Sequence, residues 1–334
     1  MNFRLGQSFF FILIAGFLVT TALIIFQDDP FDRNPVVVPP DDETPFYIAS
    51  PEVSAEKKLI IHPKNPQPGD YIVVEASPVT RSADLQLDYD FEGKTSELYR
   101  IGKLLFAVIG ICYDNEPGIY SIEIHNQSGE IINSLLEKEV KLGEKDFQTS
   151  RFSMPARVTA GWTAERLAED REKVREAKET TEPFPLWVQS FIEPLEGRIT
   201  SEYGAIRYIN DNPPRRHAGL DIATEKGEPI TAPNRGIVRL ADSLLSGGET
   251  VILDHGMNLS STYMHLHTIE VEEGQIVERG EVLGTVGMTG YATGPHLHWE
   301  VNIGQTPVNP EQLYDNDLLW IPPSYVGYKI SNSN

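Results

Sequence analysis

Two histidines separated by one residue, His296 and His298, stand at the start of an apolar and aromatic run. Side chains on a β-strand alternate between its faces, so both imidazoles would lie on one face, roughly 6 to 7 Å apart. Both could bind one zinc ion, whose bonds to histidine nitrogen are about 2.0 to 2.1 Å long, or one could bind metal while the other faces a substrate. Two surface histidines on a strand would give the same pattern.

The distribution of the histidines along the chain favours a functional site over surface histidines. Six of the eight fall between positions 217 and 298: His217, His255, His265, His267, His296 and His298. His217 and Asp221, four residues apart, are ligand types that zinc uses. On a straight strand they would be about 13 Å apart, so the backbone must bend between them, and Gly219 could permit the bend. The sequence therefore predicts a metal site or acid–base chemistry here.

Three motifs follow one another between positions 217 and 300. They are His217-x-x-x-Asp221, then Tyr-x-His265-Leu, then Thr-Gly-x-x-Thr-Gly-Pro-His296-Leu-His298-Trp-Glu. Their order and their residues resemble the motifs of the LytM/lysostaphin-type zinc metallopeptidases, which cut bacterial peptidoglycan. The likeness covers residues 195–313, about a third of the chain.

The resemblance implies a role for each matched residue. His217, Asp221 and His298 would be the three protein ligands of Zn²⁺, leaving a fourth position for water. His265 and His296 match the family's two non-ligand histidines. One would act as general base and the other would stabilise the developing oxyanion, in an order that the sequence leaves open. The implied reaction is hydrolysis of peptide bonds in peptidoglycan cross-links by a zinc-activated water.

Other residues near the motifs have weaker assignments. Tyr208 could match a tyrosine that the family places near the transition state, although Tyr203 competes for that role. His267 falls on no family position, and His255 is expected to be structural. The alternative function is a catalytically silent envelope scaffold, or a regulator of other wall hydrolases, which is expected to lack at least one of the five matched positions. All five are present, which favours the enzyme.

The amino-acid composition limits the classes of partner that the protein could bind. The 334 residues carry a formal net charge of −21, which argues against nucleic acid because its binding needs basic patches. The same charge would not attract the protein to an anionic cell wall. The single cysteine, Cys112, excludes an internal disulfide, and its apolar surroundings predict a place in the core.

The N-terminal residues predict a membrane anchor. Residues 5–26 are 22 uncharged positions, and a helix of that length would reach about 33 Å, enough to cross a hydrocarbon core. The run is longer than the roughly 7 to 15 residues of a signal-peptide apolar region. We therefore expect an uncleaved signal anchor over residues 1–27, a single pass through the cell membrane, and an extracytoplasmic location for the bulk of the chain.

The rest of the chain predicts a mainly β protein. Residues 28–51, rich in proline and acid, predict an extended linker. Residues 52–150 contain short alternating or apolar runs at intervals typical of an immunoglobulin-like β-sandwich. This domain would act as a spacer or bind an envelope protein partner.

The second half of the chain predicts a connector and a catalytic domain. Residues 151–190 include a charged, mostly solvated helix over 163–180, with Thr163 as its N-cap. In residues 191–320, short apolar runs separated by glycine predict an antiparallel β-sheet domain without long helices. This is the domain for which the resemblance implies a zinc metallopeptidase. Residues 321–334 form a tail.

Overall fold

The structure is a computed structural model of the chain. It describes residues 24–25, 36–37, 58–77, 85–91, 97–101, 104–126, 137–187, 189–315 and 319. The chain divides into two compact units, residues 48–327 and residues 1–47 with 328–334. In the smaller unit the described residues are two short antiparallel strands, β1 (Ile24–Ile25) and β2 (Val36–Val37).

The first part of the larger unit contains two antiparallel sheets. Its strands are β3 (Lys58–His62), β4 (Tyr71–Ser77), β5 (Leu85–Tyr89), β6 (Tyr99–Ile101), β7 (Leu104–Gly110), β8 (Gly118–Asn126) and β9 (Glu137–Leu142). Four pair in the order β3-β4-β7-β6 and three in the order β5-β8-β9. All seven lie within residues 52–150, where the sequence predicts short strands, while the immunoglobulin-like topology stays a prediction.

The four-stranded sheet is covered on both faces. Ile72 on β4 belongs to a core that includes Leu87 and Ile122 of the three-stranded sheet. Its neighbours Tyr71 and Val73 point the opposite way, because strand side chains alternate, and join the core of the C-terminal sheet. A strand buried on both faces reads as a continuous apolar run, as β7 does.

The second part of the larger unit is also mainly β. Its strands are β10 (Thr149–Phe152), β11 (Arg198–Ser201), β12 (Ile206–Ile209), β13 (Arg215–Arg216), β14 (Leu220–Ala223), β15 (Pro229–Thr231), β16 (Gly236–Leu244), β17 (Gly248–Gly256), β18 (Leu259–Ile269), β19 (Ile276–Val277), β20 (Val282–Val286), β21 (Leu297–Ile303) and β22 (Thr306–Val308). The main sheet runs β11-β14-β21-β18-β17-β16-β19 and is antiparallel. One parallel pair, β10 with β12, departs from the predicted antiparallel pattern.

Helix α1 (Ala164–Glu179) lies between β10 and β11 in the chain. The Thr163 side chain accepts a hydrogen bond from the Arg166 backbone amide at 3.2 Å, so the predicted N-cap is confirmed. Most of the helix is exposed, but Asp170, Ala177 and Lys178 are buried. Asp170 accepts a 2.7 Å hydrogen bond from the Leu245 backbone amide, so α1 is packed against the main sheet and is more than a connector. A short helix, α2 (Glu311–Asp315), follows β22.

Two expectations fall outside this description or differ from it. The predicted membrane anchor lies outside the described residues, except for Ile24–Ile25, which are in β1. Across the part of the chain that is described, no helix has the length and apolar character needed to cross a membrane. Cys112 is half-buried after the end of β7, so its prediction as a core residue was wrong.

Candidate metal centre

Strand pairing brings the three predicted ligands together. Asp221 on β14 and His298 on β21 are directly opposite each other in the antiparallel register. His217 precedes β14, and its backbone amide bonds the Ala205 carbonyl at 2.9 Å. The chain therefore bends between His217 and Asp221, as their spacing required.

The bend depends on Gly219 for a reason that the sequence did not reveal. A Cβ atom at this position would lie 2.4 Å from the backbone oxygen of Trp299. Gly219 is thus needed for close approach to β21, because no side chain fits between the two backbones.

Three potential ligand atoms face one another. His217 Nε2 lies 3.0 Å from Asp221 Oδ1 and 2.9 Å from His298 Nδ1, and the Asp221 and His298 atoms are 2.8 Å apart. Ligand atoms bound tetrahedrally to zinc at 2.0 to 2.1 Å would be about 3.3 Å apart, so small side-chain shifts would admit the ion. All three residues are buried.

Hydrogen bonds on the outer side of each ring orient the ligand atoms. His217 Nδ1 lies 2.8 Å from the Glu202 carbonyl oxygen, which can only accept, so Nε2 of the neutral ring holds a lone pair. His298 Nε2 lies 3.1 Å from Glu300 Oε1, which likewise leaves a lone pair on Nδ1. Two nitrogen lone pairs and a carboxylate oxygen therefore converge, and a shared cation makes that arrangement favourable. The donor set fits zinc.

The charges around this cluster are strongly coupled. Burial lowers the pKa of His298, but hydrogen bonds and charge interactions with Asp221 and Glu300 outweigh burial and raise the pKa to about 9. Burial raises the pKa of Asp221, but contacts with His217 and His298 outweigh it and hold the pKa below its usual value. A bound cation would replace the proton shared among these groups, because metal ligands are deprotonated.

His265 and His296 lie beside the cluster. Their ring centroids are 4.8 Å apart, and the His265 ring is 6.0 Å from that of His298. His265 has a φ of 65°, which interrupts the alternation of side chains along β18. As a result His265 is buried, while His267, two residues further on, is exposed. His265 Nδ1 is 2.9 Å from the Thr289 carbonyl, and His296 Nδ1 is 2.8 Å from that of Gly294. Burial, with a smaller contribution from the neighbouring histidines, lowers the pKa of His265 to about 3.

The structure does not bring Tyr208 to the cluster. Its ring stacks against the Arg151 guanidinium, whose Cζ is 3.7 Å from the ring centroid. The next residue on β12, Arg207, points the other way and bonds the second carboxylate oxygen of Asp221. Arg207 therefore contacts a proposed metal ligand, while the role of Tyr208 stays a prediction. Tyr203 is buried and donates to the Pro307 carbonyl at 2.7 Å, as a structural residue would.

His255 is also structural in its contacts. It is fully buried, with Nδ1 2.9 Å from the Arg235 carbonyl and Nε2 2.7 Å from Ser261 Oγ. Burial lowers its pKa. No contact links it to the metal ligands among the described residues.

Sequence reasoning missed Arg207, Glu300 and Lys178. Glu300 was detectable, because it is a charge within the apolar run of β21 and shares a strand face with His298, two residues away. Lys178 on α1 binds the other oxygen of Glu300 at 2.8 Å. The contacts of Arg207 and Lys178 join elements distant in sequence, so local spacing gave no signal for them.

A groove of about 430 Å³ opens beside Asp221 and His296. Ser150 and Phe152 of β10 line one side, and residues 291–296 line another. The parallel pairing of β10 with β12 places this upstream segment at the groove. A peptide bound there would lie against the candidate metal centre.

Comparisons with known proteins agree with this geometry. Residues 215–310 match the model of peptidase family M23. The DD-carboxypeptidase/endopeptidase Mpg of Neisseria meningitidis serogroup B is 38% identical over 120 residues, covering 36% of this chain and 28% of that protein. The peptidoglycan DD-endopeptidase ShyB of Vibrio cholerae serotype O1 is 26% identical over 271 residues, covering 71% of this chain and 59% of that protein.

A crystal structure from Pseudomonas aeruginosa assigned to peptidase M23 has a TM-score of 0.56 and 28% identity, covering 75% of this chain and 94% of that chain. The Neisseria and Vibrio relatives are longer than the matched regions, since the chain spans 28% and 59% of their lengths. Residues 215–310 therefore form a domain that is similar to the peptidases of family M23.

Proposed function

We propose that this protein is a zinc-dependent endopeptidase that hydrolyses peptide bonds in bacterial peptidoglycan cross-links. The observation that carries the proposal is the triangle of His217 Nε2, Asp221 Oδ1 and His298 Nδ1, with sides of 2.8 to 3.0 Å. Three protein ligands leave a coordination position for water, which is typical of catalytic zinc sites.

Zinc held by these residues would act as a Lewis acid and lower the pKa of a bound water toward neutrality. The chain's own groups would supply the proton transfers. Because His265 Nδ1 donates to Thr289, Nε2 of the neutral ring can accept a proton from the attacking water. We assign His265 as the general base.

His296 then takes the second role. Its Nδ1 is held by the Gly294 carbonyl, so in the protonated ring Nε2 can donate to the oxygen that gains negative charge. The Asp221 carboxylate lies 3.8 Å from His296 Nε2, so this ring nitrogen faces the candidate metal centre. The pair thus supports acyl transfer to water without a side-chain nucleophile.

The names of the relatives support the substrate class. Mpg is named a DD-carboxypeptidase/endopeptidase and ShyB a peptidoglycan DD-endopeptidase. The groove of about 430 Å³ beside the metal centre could hold part of a peptide chain.

Digestion of defined cross-linked muropeptides tests this function. We expect the full chain, purified in detergent and loaded with zinc, to convert peptide dimers to monomers with a mass gain of one water. A chelator should stop the reaction and added zinc should restore it. A His217→Ala variant should lose both metal and activity.

The outcome also separates the enzyme from a silent scaffold. A folded, zinc-loaded protein that leaves all muropeptide dimers uncut would contradict the enzymatic proposal and favour a regulator of other wall hydrolases. Cleavage that persists without metal would contradict the role of zinc.

We further propose that the protein is anchored in the cell membrane by its N-terminal apolar run, with the peptidase outside the cytoplasm. The support is the uncharged sequence of residues 5–26 and the extracytoplasmic position of the proposed substrate. Protease added to intact spheroplasts should digest the C-terminal domain while the protein fractionates with membranes. Protection from the protease would contradict this orientation.

A further inference from the structure

The groove beside the metal centre differs in charge from the rest of the protein. The chain carries 49 acidic and 28 basic residues, apart from histidine. Yet the charged side chains that line the groove are Arg198, Arg207 and Asp221. Asp221 is the proposed metal ligand, so both remaining charges are positive.

The two arginines are in different situations. Arg207 bonds the Asp221 carboxylate, and the two side chains are 18% and 11% exposed. Its positive charge is therefore largely neutralised by Asp221. Arg198 is exposed on β11 and forms no ion pair with any residue that the structure describes.

Strand geometry gives the distance from Arg198 to the metal centre. Ser201 on β11 lies opposite Asp221 on β14, and Arg198 lies opposite Ala223. Three residues of strand separate Arg198 from Ser201, which is about 10 Å. An extended peptide advances by a similar distance over three residues, so Arg198 can reach a group two or three residues from the bond at the metal centre.

The overall charge makes a local cation important. A net charge of −21 repels an anionic ligand at long range, although at physiological salt this repulsion is screened beyond about 8 Å. Within that distance an unpaired guanidinium dominates, because it can bind a carboxylate through two parallel hydrogen bonds. The groove is therefore complementary to a peptide that carries a free carboxylate.

We propose that Arg198 is a specificity-determining residue that binds a carboxylate of the substrate peptide two or three residues from the scissile bond. The substrate class is then an acidic stem peptide in which that carboxyl is free rather than amidated. This proposal rests on the proposed peptidase function, and it names the chemistry that the groove selects.

Kinetics with two matched peptides tests the proposal. The zinc-loaded full chain is assayed with a cross-linked stem peptide bearing free carboxylates and with the same peptide in which those groups are carboxamides. We expect Arg198→Met to lower kcat/KM for the acidic peptide roughly tenfold, mainly through KM, as expected for one partly exposed charge pair. Cleavage of the amidated peptide should not change.

Three comparisons exclude a general loss of charge or of folding. Arg198→Lys keeps the cation and should retain most of the preference. Arg171→Met removes an exposed arginine on α1, away from the groove, and should match the wild-type protein. The preference for the acidic peptide should also weaken as salt is raised.

Equal cleavage of the two peptides by the wild-type protein, or equal behaviour of Arg198→Met and Arg171→Met, would overturn the proposal. Failure of the proposed function gives a different result, since neither peptide would then be cut. In that case the proposal is tested by binding alone, through calorimetric titration of the zinc-loaded His265→Gln variant with both peptides. Tighter binding of the acidic peptide that depends on Arg198 would support the proposal, and equal binding would overturn it.

Discussion

Asp221 and His298 face each other across the antiparallel pair of β14 and β21, and Asp221 Oδ1 lies 2.8 Å from His298 Nδ1. The geometry of the candidate metal centre therefore depends on the pairing register of these two strands. A shift by one residue would turn His298 to the opposite face of the sheet, where Trp299 is buried in the core. The backbone contacts that fix this register should matter as much as the ligands.

Substitution of Gly219 should disrupt the site without touching a ligand. In Gly219→Ala the new methyl group would meet the Trp299 carbonyl, so β14 and β21 must separate. We expect a loss of roughly 1 to 3 kcal/mol in the free energy of unfolding, together with weaker zinc binding. Chemical denaturation and zinc titration measure the two effects.

Gly118→Ala is the matched control, since its methyl group would have only an ordinary 3.6 Å contact with Tyr120. Similar stability and zinc affinity in the two variants would show that the close approach at Gly219 is unimportant.

His265 should be needed for hydrolysis but not for metal binding. His265→Gln removes the ring nitrogen that accepts a proton, while His217, Asp221 and His298 remain. We expect kcat to fall by about 10² to 10⁴, the usual contribution of general acid–base catalysis, with one zinc retained per chain. His267→Gln, two residues along β18 and exposed, should keep full activity. Equal activity of the two variants would contradict the assignment of the base.

The buried pair of Lys178 and Glu300 should stabilise the fold. Their side chains are 8% and 11% exposed, so Lys178→Met would leave a buried carboxylate without its cation. We expect a loss of about 3 kcal/mol or more in the free energy of unfolding. On the same helix, Lys173 pairs with Asp242 at 44% and 39% exposure, and Lys173→Met should cost less than about 1 kcal/mol. Urea unfolding of both variants would show equal losses if α1 were only a connector.

His255 should make stability depend on pH. Burial lowers the pKa of the folded-state ring below its ordinary value of 6.5, so the unfolded chain binds more protons in acid. Its contribution is therefore absent above about pH 6.5, and below it the free energy of unfolding falls by about 1.4 kcal/mol per pH unit until the folded ring also protonates.

Replacing His255 with glutamine removes this proton uptake. Thermal unfolding in chelator between pH 5 and pH 7 should show a shallower pH dependence for His255→Gln than for the wild-type protein. Parallel curves would mean that His255 takes up its proton in the folded state as easily as in the unfolded chain.

The sequence predicted what local patterns encode. The strands within residues 52–150 and the N-cap at Thr163 follow from hydrophobic runs and capping chemistry. The grouping of His217, Asp221 and His298 follows from the resemblance of the three motifs to a known family. Contacts between segments that are distant in sequence could not be predicted from such local patterns. Arg207 reaches Asp221 because β12 packs beside β14, and the groove includes Phe152 because β10 pairs in parallel with β12. Arg207 rather than Tyr208 contacts Asp221, since one step along a strand reverses the face.

The most direct test of the central claim is diffraction from crystals of the zinc-loaded protein, measured on both sides of the zinc absorption edge. We predict one anomalous peak within about 2.0 to 2.2 Å of His217 Nε2, Asp221 Oδ1 and His298 Nδ1, with a water at a remaining position. A peak bound elsewhere, or none at these three atoms in a zinc-loaded and active protein, would contradict the account.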